Sequence, residues 1–93
     1  MVIGAISWDL LLPGCVSLKD KRNVVRSLKD RMRHRFNAGV SETHMRELHA
    51  RAGLTAVFVT TEGRHAESIR GRLAGFVEAD GRVVVLSVRD PLA

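Results

Sequence analysis

An α+β fold, with a four-stranded antiparallel sheet and two helices on one of its faces, follows from three observations. Two stretches have helical periodicity and four have strand character, in the order strand, helix, strand, strand, helix, strand. The first and third strands are the most apolar and belong at the centre of the sheet. Right-handed crossovers then give the strand order 4-1-3-2. At 93 residues the chain is one domain, 1–93, with no linker, repeat or low-complexity segment.

The first strand is Val2 to Leu12. Its even positions Val2, Ile6, Trp8, Leu10 and Leu12 are apolar, while Ser7 and Asp9 are polar. Pro13-Gly14 ends it. The first helix follows, with Ser17 as N-cap and Asp20 completing a capping-box-like pair. Leu18, Val24, Val25, Leu28, Met32 and Phe36 share an arc of about 120°. Asn37 and Gly39 are its stop residues. Val40 to Leu48 alternates weakly and is mostly polar, as suits an edge strand, with Val40, Glu42 and His44 on one side. His49-Ala50-Arg51 is a turn, and Gly53 to Thr61 is a central strand, apolar on both sides. Arg64 to Ala79 is the second helix, with Ala66, Ile69, Leu73, Phe76 and Val77 on its inner face. Gly71 and Gly75 weaken this helix by about 1 kcal/mol each. Arg82 to Arg89 is the last strand. The arrangement is a ferredoxin-like βαββαβ plait.

Charge is unevenly placed. The net charge is +5, but Lys19 to Arg35 holds eight of the 15 lysines and arginines against two aspartates, a local balance of +6. The rest of the chain is therefore slightly acidic. Such a concentrated field attracts phosphates. Arg22, Arg26, Lys29 and Arg33 form a stripe at i, i+4, i+7 and i+11, with Lys19 at its start. The four span about 16 Å, enough to follow several phosphates. Solvated helix faces usually mix signs, whereas here like charges stand four residues apart.

Lys21 does not belong to this stripe. It lies in the apolar arc and in the first turn, where the helix dipole disfavours a cation. It either snorkels or pairs with a strand carboxylate such as Asp9, or it is held inward at a pocket near the end of the first strand. In that last case it joins Lys19, Arg22, Arg26, Lys29 and Arg33 as a candidate RNA- or anion-binding residue.

Other chemistries lack support. Nucleophile-elbow, zinc-protease and P-loop motifs are missing. One cysteine, Cys15, rules out an internal disulfide, and no base is visible beside it. His44, His49, Glu42 and Glu47 have no metal-ligand spacing, so neither a metal nor a cofactor is expected. Gly71 to Gly75 lies within a helix and not in a phosphate-cradling loop. The acylphosphatase plait places an Arg in the loop after the first strand, and Pro13 to Ser17 has none. With four aromatic residues and no Tyr, base-stacking platforms are disfavoured. The first ten residues have no basic leader, and no apolar run approaches the ~18 residues of a membrane span. The expected compartment is the cytoplasm.

The blocks V-I-G-A-I, P-G-C-V-S-L-K-D-K-R with V-V-R-S-L after it, R-F-N, and R-A-G-L-T-A-V-F-V resemble the YlxP-like family, small bacterial proteins of uncharacterised function. The resemblance covers nearly the whole chain. It implies the same plait and a bacterial source. Genes of that family often lie near those for a translation initiation factor and ribosome-binding factor A. Ser17, Leu18, Lys19, Lys21 and Arg22 match its pattern, with Asp20 where Glu is usual. Thr60-Thr61-Glu62-Gly63 and His49 depart from it. No catalytic residue is implied.

Three functions are open on these grounds. One is a non-enzymatic cytoplasmic accessory protein that binds RNA or the ribosome through the first helix, in translation or ribosome maturation. Another is a homodimeric interaction module joined through the helix-free sheet face, which Ile3, Leu11, Val57 or Val59, Val83 and Val85 make apolar. The third is an enzyme acting on a small phosphorylated substrate with Lys21 and the first-strand loop.

Overall fold

The computed structural model describes residues 1–93. The elements are β1 (Val2–Leu11), α1 (Leu18–Phe36), β2 (Gly39–His44), β3 (Arg51–Thr60), α2 (Gly63–Glu78) and β4 (Val84–Arg89). The sheet order is β2-β3-β1-β4, and every pairing is antiparallel. This is the ferredoxin-like plait, with β1 and β3 central as their composition predicts. β1 and β3 pair over their whole length, from Val2 opposite Thr60 to Leu11 opposite Arg51.

One face of the sheet is covered. Ile6, Trp8 and Leu10 of β1 and Leu54, Ala56 and Phe58 of β3 meet Val25, Leu28 and Met32 of α1 and Leu73 and Val77 of α2. The core contains every inward position that the alternation marks on β1 after Val2, which is itself only partly buried. Gly4 faces inward opposite Phe58, and a Cβ there would collide with the Phe58 ring. The missing side chain is what lets this ring lie flat on β1.

The helix ends differ. Ser17 caps α1 by accepting a hydrogen bond from the Asp20 N–H at 3.1 Å, and Asp20 Oδ2 accepts from the Val16 N–H at 3.1 Å. Asn37 closes the helix in the left-handed region at φ 51°, donating its N–H to Arg33 O. α2 begins at Glu62 with no side-chain cap. α1 is thus fixed at both ends by its own sequence, whereas α2 depends more on packing.

Three expectations need correction. β2 stops at His44 and does not run to Leu48; Met45 adopts φ 59°, which breaks the strand. β3 begins at Arg51, two residues earlier than its apolar run suggests, because pairing with Leu11 extends it. On β4 the faces are exchanged. The strand starts at Val84 and not at Arg82; Val83, just before it, is buried in the core and Val85 packs against it, while Val84 and Leu86 are exposed. The run V-V-V-L has no alternation to show its facing, and a register shift opposite Asp9 and Leu10 resets it.

Candidate functional site

α1 lies beside the edge strand β2, and between them runs a groove of about 560 Å³. Arg22, Arg26 and Lys29 line it from the helix, and Arg46 from the β2–β3 loop. Glu42 and Glu47 line it as well. Lys19, Arg22 and Arg26 are exposed and Lys29 is half-buried. None of these four makes an ion pair or a side-chain hydrogen bond within the chain, so their donors are free. Arg33, the fifth member of the line, is partly engaged. Its Nη2 donates to the Val40 carbonyl of β2 at 2.6 Å, and its Nη1 lies 3.5 Å from Asp30. It ties α1 to the edge strand.

Lys21 lines the same groove, but unlike these cations its donors are engaged within the chain. It is 1% exposed. Its three ammonium donors go to the carbonyls of Met45 and Arg46, each at 3.0 Å, and of Arg51 at 3.4 Å. Glu42 Oε2 lies 2.8 Å away, outside hydrogen-bonding direction, and makes an ion pair. The strand carboxylate is therefore Glu42 and not Asp9, and the Lys21 donors are used up inside the protein. Lys21 holds the β2–β3 loop to the first turn of α1 and does not line the cavity beside the first-strand loop. The inward facing of Glu42 is visible in the sequence, since it shares a side with Val40.

Cys15, in that cavity, is buried, and burial pushes its thiol up from the usual value, with Asp20 adding to the effect. A thiol so placed is a poor nucleophile.

The open sheet face carries a polar chain at its middle. Ser7 Oγ meets Thr55 Oγ1 at 2.7 Å, Thr55 meets Thr43 at 2.9 Å, and Thr43 meets His44 Nδ1 at 2.9 Å. His44 Nε2 meets Asp9 Oδ1 at 2.5 Å. One proton arrangement satisfies the chain: each hydroxyl donates onward and His44 Nε2–H donates to Asp9. Its hydrogen bond to His44 holds the Asp9 carboxyl below the usual range, against the opposing effect of burial. Alternation places His44 with Val40 and Glu42, but a register shift after Glu42 turns it to the open face. There its ring passes over Gly53 to reach β1.

A third polar cluster, which the sequence does not assemble, lies between the helices. Arg31, Arg35 and Arg72 gather around Phe36 and Phe76. Asp80, below this cluster, accepts from Arg82 at 2.7 and 3.0 Å and from Arg31 at 3.3 Å. The Arg82 hydrogen bonds lower its carboxyl below the usual range. Arg82 is two residues from Asp80, whereas Arg31 is 49 away and only the packing of α1 near the end of α2 brings it there.

Fold and surface together define a small α+β plait with a basic helical side. The chain belongs to the family described as proteins of unknown function (DUF503), whose family model matches residues 3–90. No curated protein matches it. No helix is long and apolar enough to cross a membrane.

Proposed function

We propose that the protein binds RNA, within translation or ribosome maturation, through the exposed basic flank of α1. The carrying observation is that Lys19, Arg22, Arg26 and Lys29 stand on one helix without a single internal partner. Phosphate is the ligand such donors suit, and contacts of this kind fix position without reading sequence. Arg33 contributes charge at the end of the line while keeping its bond to β2. Lys21 is left out of the contact set. The resemblance to the YlxP-like family supports the translation setting. Reversal of Arg22, Arg26, Lys29 and Lys19 to Glu should abolish binding of small-subunit ribosomal RNA. Their replacement by Gln should lower the slope of log K against log salt by about 3, at roughly 0.7 per lost contact on single strands. Filter binding across a salt series measures both. An unchanged slope in the Gln variant would remove this reading.

A second reading rests on the open face of the sheet. Ile3, Val57, Val59, Val84 and Leu86 are each 43–65% exposed there. A second copy seated on this face would cover them. Sedimentation equilibrium should then show a dimer that Val59→Lys converts to monomer. A monomer at high protein concentration counts against it.

A further inference from the structure

The cleft between α1 and α2 gathers cations that the basic flank does not explain. Phe36 and Phe76 meet edge to face, with ring centres 5.5 Å apart and planes at 76°. Around them, the guanidinium of Arg31 lies 4.9 Å from the Phe76 centre, and that of Arg72 lies 5.4 Å from Phe36. Arg35 lies between the rings, 5.9 Å from Phe36 and 5.7 Å from Phe76. A cation over a ring is attracted through its face, which leaves the N–H edges of the guanidinium free. Arg35 and Arg72 make no ion pair or side-chain hydrogen bond in the chain. Arg31 shares Asp80 with Arg82, and Asp80 is the one carboxylate that lines the cleft. Three cations are therefore gathered against one already neutralised anion. Like charges at such spacing repel, and the fold accepts this cost.

The opening is about 460 Å³ and is bounded on the α2 side by Gly75, where a side chain would meet nothing. Gly75 gives α2 no packing benefit and costs about 1 kcal/mol against Ala. The approach to the arginines is open on this side, and a side chain much longer than that of alanine would be needed to obstruct it.

We infer that the Arg31, Arg35 and Arg72 cluster is a binding site for a phosphate group, separate from the α1–β2 groove. The rings hold the guanidiniums in place, so less side-chain freedom is lost when oxygens arrive. The planar forks then accept a phosphate from two or more sides. The phosphate belongs either to a small phosphorylated molecule or to a nucleic-acid backbone.

Arginine Nε–Hε resonances of the full chain, followed by NMR, separate the possibilities. Inorganic phosphate should shift those of Arg31, Arg35 and Arg72 saturably, while those of Arg22 and Arg26 move weakly and without saturation. A short oligouridylate that saturates the same three at lower concentration assigns the phosphate to a nucleic-acid backbone. Saturation by inorganic phosphate or a mononucleotide at equal or lower concentration assigns it to a small ligand. Arg35→Ala with Arg72→Ala should weaken phosphate binding at least tenfold. Gly75→Glu should do the same, and Gly75→Ala should leave binding intact. Arg22→Glu with Arg26→Glu should not alter it, so this site stands or falls independently of the RNA reading. Uniform shifts across all surface arginines, or full binding in the double alanine variant, would overturn the inference. Trp8 fluorescence verifies that each variant is folded, since this sole tryptophan is fully buried.

Discussion

Lys21→Met should destabilise the protein by about 3–5 kcal/mol, the range for breaking a buried ion pair by removing one partner. Methionine keeps the volume of the lysine stem, so the loss is that of the ammonium and not of packing. Two loop carbonyls, the Arg51 carbonyl at the start of β3 and Glu42 would be left without their donor. Desolvated acceptors of this kind make up much of the expected cost. In a domain of this size the change corresponds to a fall of about 15 °C or more in Tm. Thermal unfolding followed by Trp8 emission measures it. Amide exchange should quicken first from Met45 to Arg51, since Lys21 is what ties that segment to α1. Adding Glu42→Leu should recover part of the loss by removing the stranded charge. A Lys21→Met protein within about 1 kcal/mol of wild type would show that the loop is held by other contacts.

The second large effect is a reversal of sign. Gly53→Ala should cost about 1–3 kcal/mol, because the new Cβ collides with the His44 ring. The three atoms nearest to that Cβ all belong to this ring. Movement of His44 also breaks its bond to Asp9, which joins β2 to β1 across the intervening strand. In a His44→Ala background the obstruction is gone. There Gly53→Ala should be neutral or stabilising by about 0.4–1 kcal/mol, as expected where alanine fits and the unfolded chain loses freedom. Urea denaturation of the four proteins in this cycle gives the coupling directly. An equal cost of Gly53→Ala in both backgrounds would place the strain elsewhere. The Asp9 contribution also depends on pH. Its carboxyl is lowered in the folded state, so the stabilisation is complete above the ordinary value of 3.8 and disappears as the pH falls through the lower folded value.

The parts of the fold written in local pattern were legible from the sequence. β1 alternates, α1 carries its cap and its stripe, and the strength of β3 sets it at the centre. The basic flank of α1 was legible for the same reason, because helical spacing alone puts Arg22, Arg26 and Lys29 together. Legibility ended where two elements meet. Two of the Lys21 partners, the carbonyls of Met45 and Arg46, come from a loop that the alternation of β2 reads as strand, since φ of Met45 cannot be seen in Met-Arg-Glu-Leu. The facing of Val83 and Val85 depends on a register shift against β1, and a run of three valines does not record it. The arginines around Phe36 and Phe76 come from two helices, and only the crossing of those helices brings them together.

Both helices lie on one side of the sheet, and this decides what a pair of molecules could do. Two copies joined through their bare sheet faces would stack as four layers, helices outermost. At about 10 Å per layer the two α1 helices would stand roughly 30 Å apart and face away from each other. Their basic flanks, which lie toward the β2 edges, would be separated by both sheets. Such a pair would be a bivalent bridge, and its avidity would depend on two RNA segments held at that separation. If the proposed RNA binding holds, the preferred target of such a pair is folded RNA with helices on both sides of a gap, and an isolated strand gains nothing from the second copy.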